Sequence, residues 1–252
     1  MTEAGGWDGF FLWDHLVIDR SSPPPISDPW TVLAAAAVRT SRVRLGTMVT
    51  PLPRRRPWVL ARQVATVDHL SGGRAVLGVG LGVPPEVEYA TFGENADPHR
   101  HAGLLDEGLE VVNGLWSGLP TRLKGDHYTV EEVRFLPPVL QRPRVPVWVA
   151  ASLPAQAGVR RAARWDGIAP IFSTADDFRP VTAEEVATTV DSIRARRADM
   201  ADFDVVVFSI DLSSSTCSAL EQAGATWIIG GPEPARFLDD AREMAAQGPP
   251  SS

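Results

Sequence analysis

The chain has 252 residues, 44% hydrophobic and 22% charged, a globular composition sized for one large domain or two small ones. Its formal net charge of -7 argues against a nucleic-acid-binding surface, and its single cysteine, Cys217, excludes an internal disulfide framework or a cysteine metal cluster. The N-terminus has no basic and apolar leader pattern and no apolar run reaches the length of a membrane span, so the expected location is the cytoplasm.

Taken in chain order, the first apolar run, residues 9–13, predicts a strand. Asp28-Pro29 predicts a helix start, with an N-cap before a proline at the first helical position. Residues 43–49 predict a second strand. The basic run Arg54-Arg55-Arg56, between Pro53 and Pro57, reads either as a solvated loop or as a contact for a phosphate-bearing cofactor. Residues 57–70 are apolar at helical spacing and stop at Ser71-Gly72-Gly73, a left-handed termination signal.

Residues 75–79 predict the third strand, which runs into Gly78-Val79-Gly80-Leu81-Gly82. That spacing is wrong for a dinucleotide fingerprint, and the glycines read instead as permitting close backbone approach. A long helix over 101–116 precedes an extended excursion or hairpin at about 119–138. Further strands are expected at 145–151, 167–172, 204–210 and 226–229, separated by helices at 154–164 and 184–197, the latter opened by a Thr182–Glu185 capping box. A last helix is expected over 234–246, and residues 248–252 read as a disordered tail.

The strand runs are nearly continuous in Val, Ile, Leu and Ala, as in parallel strands covered on both faces. Alternating strand and helix means an α/β fold, either an open doubly wound sheet or a barrel. Seven strands suit a closed barrel poorly. Glu3-Ala4-Gly5-Gly6, however, reads as the last turn of a helix that begins upstream. The expected fold is therefore a TIM (β/α)8 barrel lacking its first strand and most of its first helix, with residues 1–247 as a single barrel domain.

Barrel active sites stand at the C-terminal strand ends. The first visible strand delivers Asp14 and His15 there: a histidine suited to acid/base work and a carboxylate able to tune it. Taken alone, the pair reads equally as a strand cap. The other four histidines have no convincing third metal ligand near them, and no P-loop or serine elbow is present. At Ala150-Ala151-Ser152-Leu153-Pro154 small residues end a strand where a helix opens, which reads as a phosphate-binding helix terminus or as a plain turn.

Together these segments resemble the luciferase-like oxidoreductases, barrel enzymes that use FMN or the deazaflavin coenzyme F-420. The residues that carry the resemblance are Gly6-Trp7-Asp8-Gly9-Phe10-Phe11-Leu12-Trp13-Asp14-His15-Leu16, Val43-Arg44-Leu45-Gly46-Thr47-Met48-Val49-Thr50-Pro51 and Leu70-Ser71-Gly72-Gly73-Arg74. The resemblance implies that His15 is the ring-side acid/base and that Asp14 touches the coenzyme. It also implies a bulge with a non-prolyl cis peptide at Met48-Val49, so that Thr47, Met48, Val49 and Thr50 support the ring. Ala150, Ala151, Ser152 and Leu153 would then approach the coenzyme's side chain and phosphate.

A glutamate that some deazaflavin members carry after the third visible strand is not matched at Val83-Pro84-Pro85, so no second catalytic acid is transferred. The expected activity is hydride transfer, or monooxygenation of a small organic substrate, with a lean towards the deazaflavin. The resemblance also favours a homodimer. Two rival readings are a truncated, catalytically impaired paralogue and a barrel hydrolase that pairs Asp14 with another carboxylate.

Overall fold

The computed structural model describes residues 3–174, 178–231, 243 and 245–249. The chain divides into two compact units, one of residues 11–145 and the other of residues 1–10 and 146–252.

The first unit contains most of the elements around Asp14 and His15. Strand β1 (Gly9–Leu12) leads into it, followed by α1 (Pro29–Ala37), β2 (Arg44–Pro51), α2 (Pro57–Ser71), β3 (Ala75–Gly80), α3 (Pro85–Glu88) and α4 (Pro98–Trp116). An antiparallel pair, β4 (Thr121–Lys124) and β5 (Thr129–Val133), forms the expected excursion. Strand β2 lies between β1 and β3 and runs parallel to β3. All six residues of β3 are buried, which is why its sequence is an unbroken apolar run rather than an alternation.

The helix ends follow the local signals. Asp28 accepts a hydrogen bond from the Thr31 amide at 2.9 Å and caps α1, and α2 stops where Gly72 adopts a left-handed φ of 71°. Helices α2 and α4 contact each other, Leu60, Val64, Leu105 and Leu109 of these helices are buried, and the Trp116 indole donates to the Ala61 carbonyl at 3.0 Å.

The β2–β3 register shifts between Thr47 and Thr50, and the Met48–Val49 peptide inside that bulge is cis. A buried chain of hydrogen bonds crosses the bulge. The Trp30 indole donates to Thr50 Oγ1 at 3.2 Å, Thr50 donates to Thr47 Oγ1 at 3.1 Å, and Thr47 donates to the Gly78 carbonyl at 3.0 Å. The strands approach so closely that a Cβ on Gly78 would lie 2.1 Å from the Thr47 carbonyl oxygen.

The second unit contains β6 (Val147–Leu153), α5 (Gln156–Ala162), β7 (Gly167–Ser173), β8 (Phe178–Arg179), α6 (Ala183–Arg194), β9 (Asp204–Ser209), α7 (Ser214–Gln222) and β10 (Trp227–Gly230). Strands β6, β7, β9 and β10 are parallel neighbours in that order, and β8 folds back antiparallel on β7. The capping box that opens α6 is present. At the start of β9, the Asp204 carboxylate accepts the indole N–H groups of Trp148 at 2.9 Å and Trp227 at 3.1 Å, joining three strands near their beginnings.

Some boundaries differ from expectation. Strand β6 continues through Leu153, and α5 starts at Gln156 behind an N-cap Ala155 that makes no side-chain capping bond. Pro154 therefore does not open a helix, which begins two residues later. Helix α7 was not expected because Ser214–Gln222 buries only Leu220 and so carries almost no apolar periodicity; Ser213 caps it. Most of the helix expected over 234–246 lies outside the described residues. Among the described residues, no helix is long and apolar enough to cross a membrane.

Candidate active site

Asp14 and His15 lie just beyond β1, after Trp13, and the loops after β2 and β3 converge on them within the first unit. Asp14 is 2% exposed and both of its carboxylate oxygens are engaged. Arg55 grips it side-on, Nε to Oδ2 at 2.7 Å and Nη2 to Oδ1 at 2.6 Å. Arg54 Nη2 reaches Oδ1 at 2.8 Å and also the Asp14 backbone carbonyl. Arg55 extends further to Asp28, the α1 cap, at 3.1 Å.

The other end of the Arg54 guanidinium pairs with Glu88, the last residue of α3, whose side chain is fully buried. Glu88 Oε1 lies 2.9 Å from His15 Nδ1, and the Leu16 amide donates to the same carboxylate at 3.3 and 3.4 Å. Burial pushes the His15 imidazole below its usual pKa, and the Arg54 guanidinium adds to that, against an opposing pull from Asp14. The His15 side chain is 25% exposed. Trp13 stands edge-on to it at 6.1 Å between ring centroids. An open pocket of about 400 Å3 adjoins the cluster, lined by Leu16, Asp28, Arg54, Arg55, Glu88, Phe92 and Glu94.

This geometry corrects the reading of the basic run. Arg54 and Arg55 do not form a solvated loop, because their side chains are only 5% and 18% exposed and each pairs with two carboxylates. The turn at Leu52–Arg54 and the start of α2 at Pro57 direct them inwards, leaving only Arg56 exposed. Glu88 likewise supplies a carboxylate that the sequence reading placed nowhere. The available signal was its position shortly after a strand end, in Pro84-Pro85-Glu86-Val87-Glu88. Both buried carboxylates serve as acceptors for cations, which speaks against a hydrolase that uses them as an acid and a nucleophile.

The other expected site residues fall in two places. In the first unit, Thr47 and Thr50 are fully buried and their hydroxyls are tied up within the bulge, whereas Met48 and Val49 remain half-buried. In the second unit, at the end of β6, Ala151 and Leu153 are buried, Ala150 is half-buried and Ser152 is exposed.

Residues 1–249 match the family model described as luciferase-like monooxygenase. The chain is 35% identical over 161 residues to the F420-dependent glucose-6-phosphate dehydrogenase of Microbacterium testaceum (strain StLB037), a match covering 62% of this chain and 46% of that protein. The chain spans about half the length of the curated relatives it matches at this identity. An F420-dependent secondary alcohol dehydrogenase solved with an F420-acetone adduct aligns with a TM-score of 0.76 at 17% identity, covering 98% of this chain and 92% of that one. The oxygenating constituent of 3,6-diketocamphane monooxygenase from Pseudomonas putida, solved with FMN, aligns with a TM-score of 0.61 at 18% identity, covering 81% and 58%. The strand order within each unit and these matches agree on one fold class, the α/β TIM barrel of the luciferase-like type, and the chain belongs to the luciferase-like monooxygenase family.

Proposed function

We propose that the protein is an oxidoreductase that uses coenzyme F-420 for hydride transfer with a small organic substrate, His15 moving the accompanying proton. The observation that carries this reading is the pairing of a partly open imidazole, its pKa lowered by burial, with a buried carboxylate just beyond a strand end. The similarity to F420-dependent relatives supports the choice of coenzyme. A neutral imidazole accepts a proton from a substrate hydroxyl as hydride leaves the carbon, and returns it in the reverse direction.

The residues of the first unit fit a flat tricyclic group. The Met48–Val49 bulge offers half-buried apolar side chains, while the Thr47 and Thr50 hydroxyls are satisfied internally and leave no competing polar group there. Thr47 and Thr50 would support the ring through backbone and packing. In the second unit, the short side chains of Ala150, Ala151 and Ser152, with Leu153, form a strand end that we assign to the coenzyme's side chain. When bound, the deazaflavin supplies the hydride-accepting carbon. Asp14, held by two arginines, acts on the reaction by fixing the backbone that presents His15.

Spectral titration of the purified protein with coenzyme F-420 and, separately, with FMN tests this reading. Saturable binding of F-420 in preference to FMN is expected. Preferential FMN binding would shift the assignment to monooxygenation, and saturation by neither would overturn it. A homodimeric, cytoplasmic enzyme is the accompanying proposal, and sedimentation checks the first part of it.

A further inference from the structure

We propose that Glu88 is a positioning residue that holds His15 in the Nδ1–H tautomer, making Nε2 the atom that exchanges the proton. The inference rests on the reading of His15 as the proton-transfer residue, but its geometry stands independently. Among the described residues, the other groups facing the Glu88 carboxylate are obligatory donors, Arg54 on Oε2 and the Leu16 amide on both oxygens, while His15 Nδ1 lies 2.9 Å from Oε1. A carboxylate so surrounded has no proton to give, so the hydrogen in the Nδ1–Oε1 contact belongs to the imidazole. A neutral ring then carries its lone pair on Nε2.

The charged and titratable groups around the ring are Glu88 at Nδ1, and Arg54 and Asp14 acting through space. Among the described residues, Nε2 has no hydrogen-bond partner, which leaves it available to a substrate. Arg54 completes the device. By bridging Asp14 and Glu88, it ties the loop after β1 to α3 and fixes the carboxylate that the ring meets.

The test is proton–nitrogen NMR of the isotopically labelled protein without coenzyme, at a pH well above the ring's titration midpoint. His15 is assigned by the resonance lost in His15→Gln. The expected result is the Nδ1–H tautomer in the wild type, lost or mixed with Nε2–H in Glu88→Gln and restored in Glu88→Asp. A wild-type Nε2–H tautomer overturns the proposal, as does a tautomer unchanged in a folded Glu88→Gln. Where that variant fails to fold, the wild-type spectrum alone decides. In the coenzyme-loaded enzyme, Glu88→Gln should reduce kcat on the order of 10²-fold with coenzyme affinity retained. Failure of the coenzyme titration leaves the NMR result intact, so the two readings fail separately.

Discussion

Replacing Asp14 with Asn separates its structural role from the coenzyme contact that the family resemblance implies. The carboxylate accepts three close hydrogen bonds from two guanidiniums and is 2% exposed, so neutralising it leaves cationic charge in a largely desolvated site. Removing one partner of such a pair costs about 3–5 kcal/mol. Here Arg55 keeps Asp28, Arg54 keeps Glu88 and the Asn oxygen keeps one acceptor, which puts the loss near the lower end of that range, about 3 kcal/mol. Urea denaturation followed by fluorescence and circular dichroism should show a midpoint lowered by about 1 M at unchanged slope. Coenzyme affinity measured on the folded variant should change little. A stability loss below about 1 kcal/mol together with a large loss of coenzyme affinity would refute this reasoning and return Asp14 to the coenzyme.

The remaining predictions concern His15, the bulge and the second unit. His15→Asn should abolish turnover while sparing coenzyme affinity; retained turnover would mean that another group moves the proton. In the wild type, kcat/KM should fall on an acid limb lying below 6.5, because the lowered pKa keeps the base neutral above it. A limb above 6.5 would show that the Glu88 charge outweighs burial and Arg54. Gly78→Ala places a methyl group 2.1 Å from the Thr47 carbonyl oxygen and should cost about 1–3 kcal/mol in thermal or chemical unfolding, so an unchanged midpoint would contradict the close approach of β2 and β3. In the second unit, paired hydrogen bonds from Arg179 hold the Glu185 carboxyl at about 2, below the ordinary 4.5. Its stabilisation is complete above 4.5 and is lost as pH falls towards 2, so the wild-type and Glu185→Gln stability curves should converge with acid, and parallel curves would exclude the linkage.

The strands were legible because their apolar runs are continuous, and the seven runs correspond to β1, β2, β3, β6, β7, β9 and β10. Helix starts with a specific cap, Asp28-Pro29 and Thr182–Glu185, were equally readable, since one side chain and one amide decide them locally. Helix α7 was not, because a helix that buries one leucine leaves no period to detect. The site was half legible. Asp14 and His15 are adjacent in sequence and end a strand, so position alone singled them out. Glu88 is 73 residues from its histidine, and no local rule connects the two. The arginines misled for a physical reason. Three consecutive cations between prolines look solvated, and only the convergence of Asp14, Asp28 and Glu88 makes burial of two of them tolerable.

That convergence links stability to chemistry through one side chain. Arg54 donates to the carbonyl and carboxylate of Asp14 with one nitrogen and pairs with Glu88 through the other. A planar guanidinium can span two acceptors in fixed directions, whereas an ammonium is a single point charge. The span matters because the two carboxylates sit on segments with different origins, the exit of β1 and the short α3, which no strand pairing joins. Without the bridge, Asp14 still has Arg55, but Glu88 would face a desolvated site with only an imidazole and one amide, and its cheapest relief would be to take up a proton. A protonated Glu88 can donate to Nδ1 as readily as accept from it, and the direction of the hydrogen bond would no longer be set. Arg54 therefore keeps Glu88 an obligatory acceptor, and through it the identity of the imidazole nitrogen left facing the substrate.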